Sequence, residues 1–188
     1  MFFKKPKNID DKTILKATIE LRKGSAQAFH LLYQKYSHQI YRFCLRMLND
    51  REMAEDAFQE TFMRVYENRS SFTGDAFSPW LFAIARNTCL NELRKRKEKV
   101  EFNEEFMIPT LDKQQDVLVK DYIEQAIAKL PISLREAILL REYEDYSYQE
   151  IAEILEIELS LVKVRIHRAR QLLKEMLQPM VKEIYESR

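Results

Sequence analysis

The stretch YSYQEIAEILEIELSLVKVRIHRAR, residues 146–170, determines how the C-terminal part of the chain folds. Ser147 and Glu150 have the three-residue spacing of a capping box, which predicts a short helix over residues 148–155. A brief turn then leads to Ser160, which we expect to be the N-cap of a longer helix. A short helix, a turn and a longer helix are typical of a helix-turn-helix.

The longer helix, predicted to end near Leu177, has two faces of different character. At 100° per residue its apolar side chains form one narrow stripe, made by Val162, Ile166, Ala169 and Leu173. The opposite side carries Ser160, Val164, His167, Arg168 and Gln171. We expect the stripe to pack on other helices and the polar side to be exposed.

Charge is sharply segregated along this part of the chain. Residues 159–174 contain five Lys or Arg and no acidic residue, whereas residues 142–158 contain seven acidic residues and no basic one. Positive charge on a helix that fits a major groove favours DNA binding. A solvated basic face on a bundle that binds no DNA is the alternative, which the pattern leaves open.

Three amphipathic helices are predicted nearer the N terminus, after an extension over residues 1–24. The first two span residues 25–48 and 51–68. The third begins with Ser78 as N-cap and Pro79 at its first position, and it ends in the charge run of residues 94–99.

Residues 100–118 lose this periodicity and are strongly acidic, which predicts an extended linker. A second module over residues 119–180 follows, with Pro131 ending one helix, Ser133 capping the next, and a tail after residue 180. The fold class is therefore predicted as all-α, with two small helical domains (25–99 and 119–180) joined by a flexible linker.

Composition excludes several other classes of protein. Two glycines and five prolines among 188 residues are too few for the turns of a sandwich or barrel. Cys44 and Cys89 lie in apolar helical patterns, as expected for reduced core residues of a cytoplasmic protein. No signal peptide, membrane span, metal-ligand spacing, Gly-rich phosphate loop or catalytic constellation is evident, so we expect no cofactor, no metal and no enzymatic activity.

Two blocks together resemble a known family. The segments AEDAFQETFMRVY (54–66) and FSPWLFAIARNTCLNELR (77–94) are similar to region 2 of bacterial sigma factors. The block from Leu130 to Arg170 is similar to region 4. Region 2 and region 4 with only a linker between them is the layout of the extracytoplasmic-function (ECF) sigma factors, and the resemblance covers roughly residues 24–177.

The resemblance implies a promoter-specificity subunit of RNA polymerase rather than an enzyme. It places the clamp helices of core polymerase against the second predicted helix, at Asp56, Gln59, Glu60, Phe62 and Arg64. Helix-dipole interactions and i,i+4 pairing are the alternative role of Asp56 and Glu60. The implied partners also include the polymerase flap, promoter DNA and an anti-sigma factor.

The resemblance assigns the −10 promoter element to the third helix and the loop before it. The residues are Phe72, Thr73, Phe77, Trp80, Asn87, Asn91, Arg94 and Arg96. Flipped or single-stranded bases are held by stacking and backbone contacts, which suits this set. Phe77 and Trp80 also fit core packing, and the charge run also fits a solvated helix end.

The last helix is implied to bind the −35 element as a duplex. The residues are Ser160, Leu161, Lys163, Val164, Arg165, His167 and Arg168. Lys163, Arg165 and Arg168 suit phosphates or guanine edges, and His167 suits a phosphate or solvent. The acidic linker is implied either to mimic phosphates in a nucleic-acid channel or to act as a plain tether.

The turn of the helix-turn-helix departs from the family pattern. Where the family has Gly-Val-Pro-Val-Gly-Thr-Val-Lys-Ser-Arg, residues 156–165 read EIELSLVKVR, without glycine or proline. A turn position that requires a positive φ makes Glu156 less favourable than glycine by about 1–2 kcal/mol. Leu161 and Val164 replace polar groups, which indicates a different promoter sequence, read through methyl contacts with thymine.

Two other classes of function are considered: a stand-alone helix-turn-helix regulator and a protein-interaction module of two helical bundles. The net charge of +1 argues against a nucleic-acid binder when taken alone. The small net charge, however, results from opposite charges in different places that cancel in the sum. Acidic charge lies on the second helix and linker, while basic charge lies at the ends of the two helices assigned to DNA.

Overall fold

A computed structural model describes residues 9–74, 76–102 and 119–186. These residues form helices and contain no strand, which confirms the all-α prediction. The helices are α1 (Asp11–Arg22), α2 (Ala26–Leu48), α3 (Arg51–Glu67), α4 (Phe77–Phe102), α5 (Val119–Lys129), α6 (Ile132–Glu142), α7 (Tyr148–Leu155) and α8 (Leu159–Glu186). None of the helices in these ranges has an apolar stretch sufficient to cross a bilayer.

The chain divides into two compact units, one made mainly of residues up to Glu92 and the other mainly of residues from Leu93 onward, so α4 belongs to both. In the N-terminal unit, α1 packs against α2 and α2 packs against α3. Helix α4 joins through aromatic contacts, such as the edge-on pair of Phe43 and Phe82 at 5.4 Å between ring centroids. Cys44 and Cys89 are fully buried free thiols in this core, as predicted. Contact with Cys44 and burial raise the pKa of the Cys89 thiol well above its ordinary value.

In the C-terminal unit, α5 and α6 both pack against α8. The fully buried side chains of Val162, Ile166 and Ala169 form the inner stripe of α8, as the periodicity predicts. Buried Arg135 donates to the carbonyl oxygens of Ala128 and Leu130 at the end of α5. This guanidinium satisfies carbonyls that the helix end leaves without partners, and burial lowers its pKa.

Three predicted caps are wrong. Ser78, Ser133 and Ser160 each lie inside the first turn of a helix rather than before it. Pro131 precedes α6 without a side-chain cap, and its carbonyl accepts from Leu134 and Arg135. Before α8 the carbonyl of Glu158 accepts from the amides of Leu161 and Val162 at 2.9 and 3.1 Å. The three helices therefore begin two residues earlier than the serine caps predict.

Other boundaries also differ from the sequence-based prediction. Residues 11–22, expected to belong to an extension, form α1, with the Asp10 carboxylate accepting from the amide of Thr13 at 2.9 Å. Helix α4 continues through residues 100–102, and α8 continues past Leu177 to Glu186. The rest of the predicted linker, residues 103–118, lies outside the described residues.

The prediction for α7 is confirmed in detail. The amide of Glu150 donates to the Ser147 hydroxyl at 3.2 Å, and the amide of Ser147 donates to the Glu150 carboxylate at 2.8 Å. After α7 the chain reverses through Glu156, whose φ of 55° is left-handed. The amide of Ile157 then donates to the carbonyl of Ala152. Glu156 therefore occupies the position at which the family pattern has glycine.

We predict that Glu156→Gly stabilises the chain. Glycine removes the Cβ clash of a left-handed residue but adds entropy to the unfolded chain, leaving a gain of about 0.5–1 kcal/mol. Urea unfolding followed by circular dichroism measures the difference. The control is Glu153→Gly in the right-handed interior of α7, which should lose about 1 kcal/mol. Destabilisation by both variants would contradict the assignment of strain to Glu156.

Candidate nucleic-acid and partner interfaces

The outer face of α8 is a continuous exposed surface. It carries six of the seven side chains assigned to the −35 element: Ser160, Leu161, Lys163, Val164, His167 and Arg168. The buried stripe on the other side of the helix fixes this face outward. The capping box of α7 and the turn at Glu156 determine where α8 begins, so local sequence signals position the surface.

Arg165, the seventh residue assigned to the −35 element, is mostly buried, unlike the other six. Its guanidinium donates to the carboxylate of Glu136 on α6 at 2.8 Å. The Arg165 side chain is 19% exposed and that of Glu136 only 3%. The structure therefore makes Arg165 a link between α6 and α8, and it does not bring this residue onto the exposed face with Lys163 and Arg168.

A second cation of α8 is also paired with α6. Arg170 forms two hydrogen bonds to the Glu142 carboxylate, at 2.6 and 3.1 Å, and this contact raises the pKa of its guanidinium. Both side chains are about half exposed, so water and salt weaken the pair. Lys163 and Arg168 are exposed and are the better placed cations for phosphates.

The loop before α4 is held by aromatic packing. Phe72 is buried, with its ring centroid 4.8 Å from that of Trp80 and 6.0 Å from that of Phe77. Phe77 is buried as well, which supports core packing for this residue, whereas Trp80 is half-buried. Thr73 is exposed beside this aromatic cluster. Of the loop residues assigned to DNA, Thr73 and the outer part of Trp80 are thus accessible.

Helix α1 contacts the same loop through Arg22. The Arg22 guanidinium lies 4.9 Å from the centre of the Phe72 ring and donates to the carbonyl oxygen of Gly74. The loop thus lies against α1, which falls within the predicted N-terminal extension. Asp10 is of a residue type common at N-caps and precedes an amphipathic segment. This pattern was the available signal for α1.

Helix α4 brings together most of its assigned residues. Asn87, Asn91 and Arg94 follow one another at four- and three-residue steps and lie along one face. Arg96 lies nine residues after Asn87, which at 100° per residue is the opposite side of the helix. The continuous helix therefore separates Arg96 from the other three residues.

The third assigned surface lies on α3 beside α2. Asp56 and Gln59 are exposed, and Arg64 donates to Glu60 at 2.7 Å, as the i,i+4 alternative predicts. Phe62 is buried at the floor of an open apolar groove of about 590 Å³. The groove is lined by Ala26, Phe29, Tyr33, Phe58, Gln59, Phe62, Met63, Tyr66 and Glu67.

Most residues of this groove were not predicted from the sequence. Met63 is 57% exposed and Tyr66 38%, which is unusual for large apolar side chains on one helix. Phe29 and Tyr33 belong to the apolar face of α2, and their rings contact Tyr66 and Phe62 at the groove wall. The spacing of Gln59, Phe62, Met63 and Tyr66 was the available signal, since it extends the apolar face of α3 beyond what α2 covers.

Other kinds of site find little support. No group of His, Cys, Asp and Glu in the described part of the chain has a metal-binding arrangement. The three surfaces are instead an exposed helix face, a braced aromatic loop with its helix, and an apolar groove. Each suits binding to a macromolecule.

We predict that Arg22→Gln loosens the aromatic loop. Loss of the cation–π contact removes about 1 kcal/mol that holds Phe72 over Trp80. Trp80 is the only tryptophan, so its emission should shift to longer wavelength and iodide should quench it more strongly. Lys23→Gln, which alters an exposed ion pair with Glu20, is the control. Identical spectra for both variants would contradict the bracing role of Arg22.

We also predict that Glu136→Gln costs about 3 kcal/mol of unfolding free energy, because it leaves Arg165 buried without its counter-ion. Glu142→Gln, which breaks the exposed pair with Arg170, should cost less than about 1 kcal/mol. The double variant Glu136→Met/Arg165→Met should recover most of the loss. Urea unfolding measures all three, and equal effects of the two single variants would contradict a structural role for Arg165.

Comparison with known proteins agrees with this arrangement. Residues 32–99 match the family model for sigma-70 region 2, and residues 120–173 match the model for sigma-70 region 4. The RNA polymerase sigma-H factor of Pseudomonas aeruginosa is 35% identical, over 87% of this chain and 93% of its own. The ECF RNA polymerase sigma factor SigM of Bacillus subtilis is 34% identical, over 77% of this chain and 92% of its own.

A solved structure shares the fold. The sigma factor RpoE of Bartonella quintana, crystallised in complex with the anti-sigma factor NepR, superposes with a TM-score of 0.72. It is 27% identical, and the match covers 81% of this chain and 98% of that one. Both regions occur in the same order here, and the relatives are matched over nearly their whole length. The chain belongs to the extracytoplasmic-function family of RNA polymerase sigma factors.

Proposed function

We propose that this chain directs core RNA polymerase to specific promoters and helps to open the −10 region for transcription initiation. The observation that carries the proposal is the exposed face of α8 over residues 159–174, which contain no acidic residue, in a chain of the sigma family. A helix of this kind places its N-terminal side chains against base edges while cations on its flanks hold phosphates. In this role Lys163 and Arg168 position α8 on the −35 element.

The N-terminal unit supplies the other two contacts of the proposed function. Asn87, Asn91 and Arg94 on one face of α4, together with Trp80 two turns earlier on the same helix and Thr73 in the loop before it, hold the separated strand of the −10 element. Asparagine amides suit base edges, and aromatic surface suits an unstacked base. Because Phe72 and Phe77 are buried, we assign them to the scaffold of this site.

The groove between α2 and α3 is the proposed docking surface for the clamp helices of core polymerase. Its apolar lining is bordered by Gln59 and Glu67, and α3 carries five acidic and two basic residues. An apolar groove with an acidic border suits a helical partner with apolar anchors and basic flanks. In this role the protein positions polymerase and carries out no chemistry itself.

Further partners follow from the same family. We propose that region 4 contacts the polymerase flap and that an anti-sigma factor competes for these surfaces, by analogy with the complex of the Bartonella quintana protein. We place the activity in the cytoplasm, where polymerase and promoter DNA are. The family match favours polymerase recruitment over a stand-alone helix-turn-helix regulator, which has no use for a second, partner-binding unit.

Run-off transcription on a promoter library, with and without core polymerase, tests the proposal. Initiation at a defined set of start sites that requires both proteins is the expected result, and sequencing those starts gives the −10 and −35 elements. Tight sequence-specific DNA binding by the chain alone, with no initiation when core polymerase is added, would instead establish the stand-alone regulator.

We predict that Met63→Glu weakens binding to core polymerase about tenfold or more, because it places a charge in the apolar groove. Met63 is mostly exposed, so the variant should fold normally. Leu15→Glu on α1 is the matched control, since Leu15 is 47% exposed and outside the groove. Fluorescence anisotropy with labelled protein measures both affinities. Equal binding by the two variants would remove the groove from the polymerase interface.

A further inference from the structure

Two branched apolar side chains lie on the proposed DNA-binding side of α8, Val164 near its middle and Leu161 toward one edge. Leu161 and Val164 are 40% and 43% exposed, in the first two turns of α8. The apolar stripe that anchors the helix is on the other side and is complete without them, since Val162, Ile166 and Ala169 are fully buried. Core packing therefore does not account for their presence.

The surroundings of this pair identify the chemistry of its ligand. Lys163 and Arg168 are exposed on the same turns of α8, and no acidic residue occurs between Leu159 and Lys174. The surface thus combines a small apolar centre with positive charge. The phosphates of duplex DNA match the charge. The methyl group at C5 of thymine is the apolar group that a base presents in the major groove, and it matches the centre.

We propose that Leu161 and Val164 select thymine at neighbouring positions of the −35 element by packing against its C5 methyl groups. This inference rests on the proposed function. Three residues of helix advance about 4.5 Å, close to the rise of one base-pair step of about 3.4 Å, so the two side chains reach adjacent or nearly adjacent base pairs. Neither side chain forms hydrogen bonds, and a polar base edge buried against them loses its bonds to water.

These contacts favour thymine over both cytosine and uracil. Cytosine at these positions places its N4 amino group against an apolar side chain, and uracil lacks the methyl group that the side chain covers. Each methyl group removed should weaken binding about fourfold, the ratio expected for losing contact with one buried methyl or methylene group. Two thymines replaced together should weaken it about fifteenfold if the effects are independent.

The experiment uses holoenzyme assembled from the full chain and core polymerase. The −35 element is first obtained from initiation on the promoter library. Each thymine of that element is then replaced by deoxyuridine, singly and together, and holoenzyme affinity is measured by open-complex formation. The expected result is a fourfold loss at one or two positions of the −35 element, with no loss for deoxyuridine in the spacer.

Variants link the effect to the two side chains. In Leu161→Ser and Val164→Ser, deoxyuridine and thymine should give equal affinity at the position that each side chain contacts. Ile132→Ser is the matched control, because Ile132 is equally exposed but lies on α6, and it should retain the full loss with deoxyuridine.

The outcomes separate this inference from the proposed function. Normal initiation on thymine promoters with no effect of deoxyuridine anywhere in the −35 element would overturn the methyl contacts and leave the sigma function intact. An effect of deoxyuridine that persists in both serine variants would overturn the assignment to Leu161 and Val164. Absence of polymerase-dependent initiation from every promoter would overturn both proposals together.

Discussion

The ion pair between Glu136 and Arg165 fixes how α8 lies against α6 in the C-terminal unit. An isolated buried carboxylate or guanidinium is costly, so α8 can pack on α6 only in a rotation that lets these groups meet. Because side chains on a helix have fixed angular positions, that rotation also decides which residues face outward. The outward position of Leu161, Val164 and Arg168 thus follows from this pair together with the buried stripe of Val162, Ile166 and Ala169 on the other side of the helix.

The arginines show why net charge says little about function here. Arg22, Arg135 and Arg165 have structural partners: an aromatic ring with a loop carbonyl, the carbonyls at a helix end, and a buried carboxylate. Guanidinium groups suit these places because they donate several hydrogen bonds in a plane. Positive charge available to DNA is therefore a subset of the total, and its placement on α4 and α8 matters more than the sum of +1.

Local signals predicted the elements well and tertiary contacts poorly. The bounds of α7, its capping box and the buried stripe of α8 follow from spacing within a few residues. The pairing of Arg165 with Glu136 spans 29 residues, and nothing near either residue indicates it. The groove was missed for a similar reason, since Phe29 and Tyr33 belong to an apolar face whose uncovered part depends on how α3 crosses α2. Ser160 was misassigned because α8 begins two residues earlier than a cap at Ser160 predicts, which places its hydroxyl inside the first turn.

The chemistry of the two units explains why the chain needs both. One unit presents an aromatic groove with acidic borders, and the other presents a basic helix with an apolar centre. Residues 103–118 connect them, and a chain of this length spans at most about 60 Å. Once one unit binds polymerase, the other meets DNA at an effective concentration of the order of millimolar. In the proposed function, modest contacts such as two thymine methyl groups then contribute to the choice among promoters.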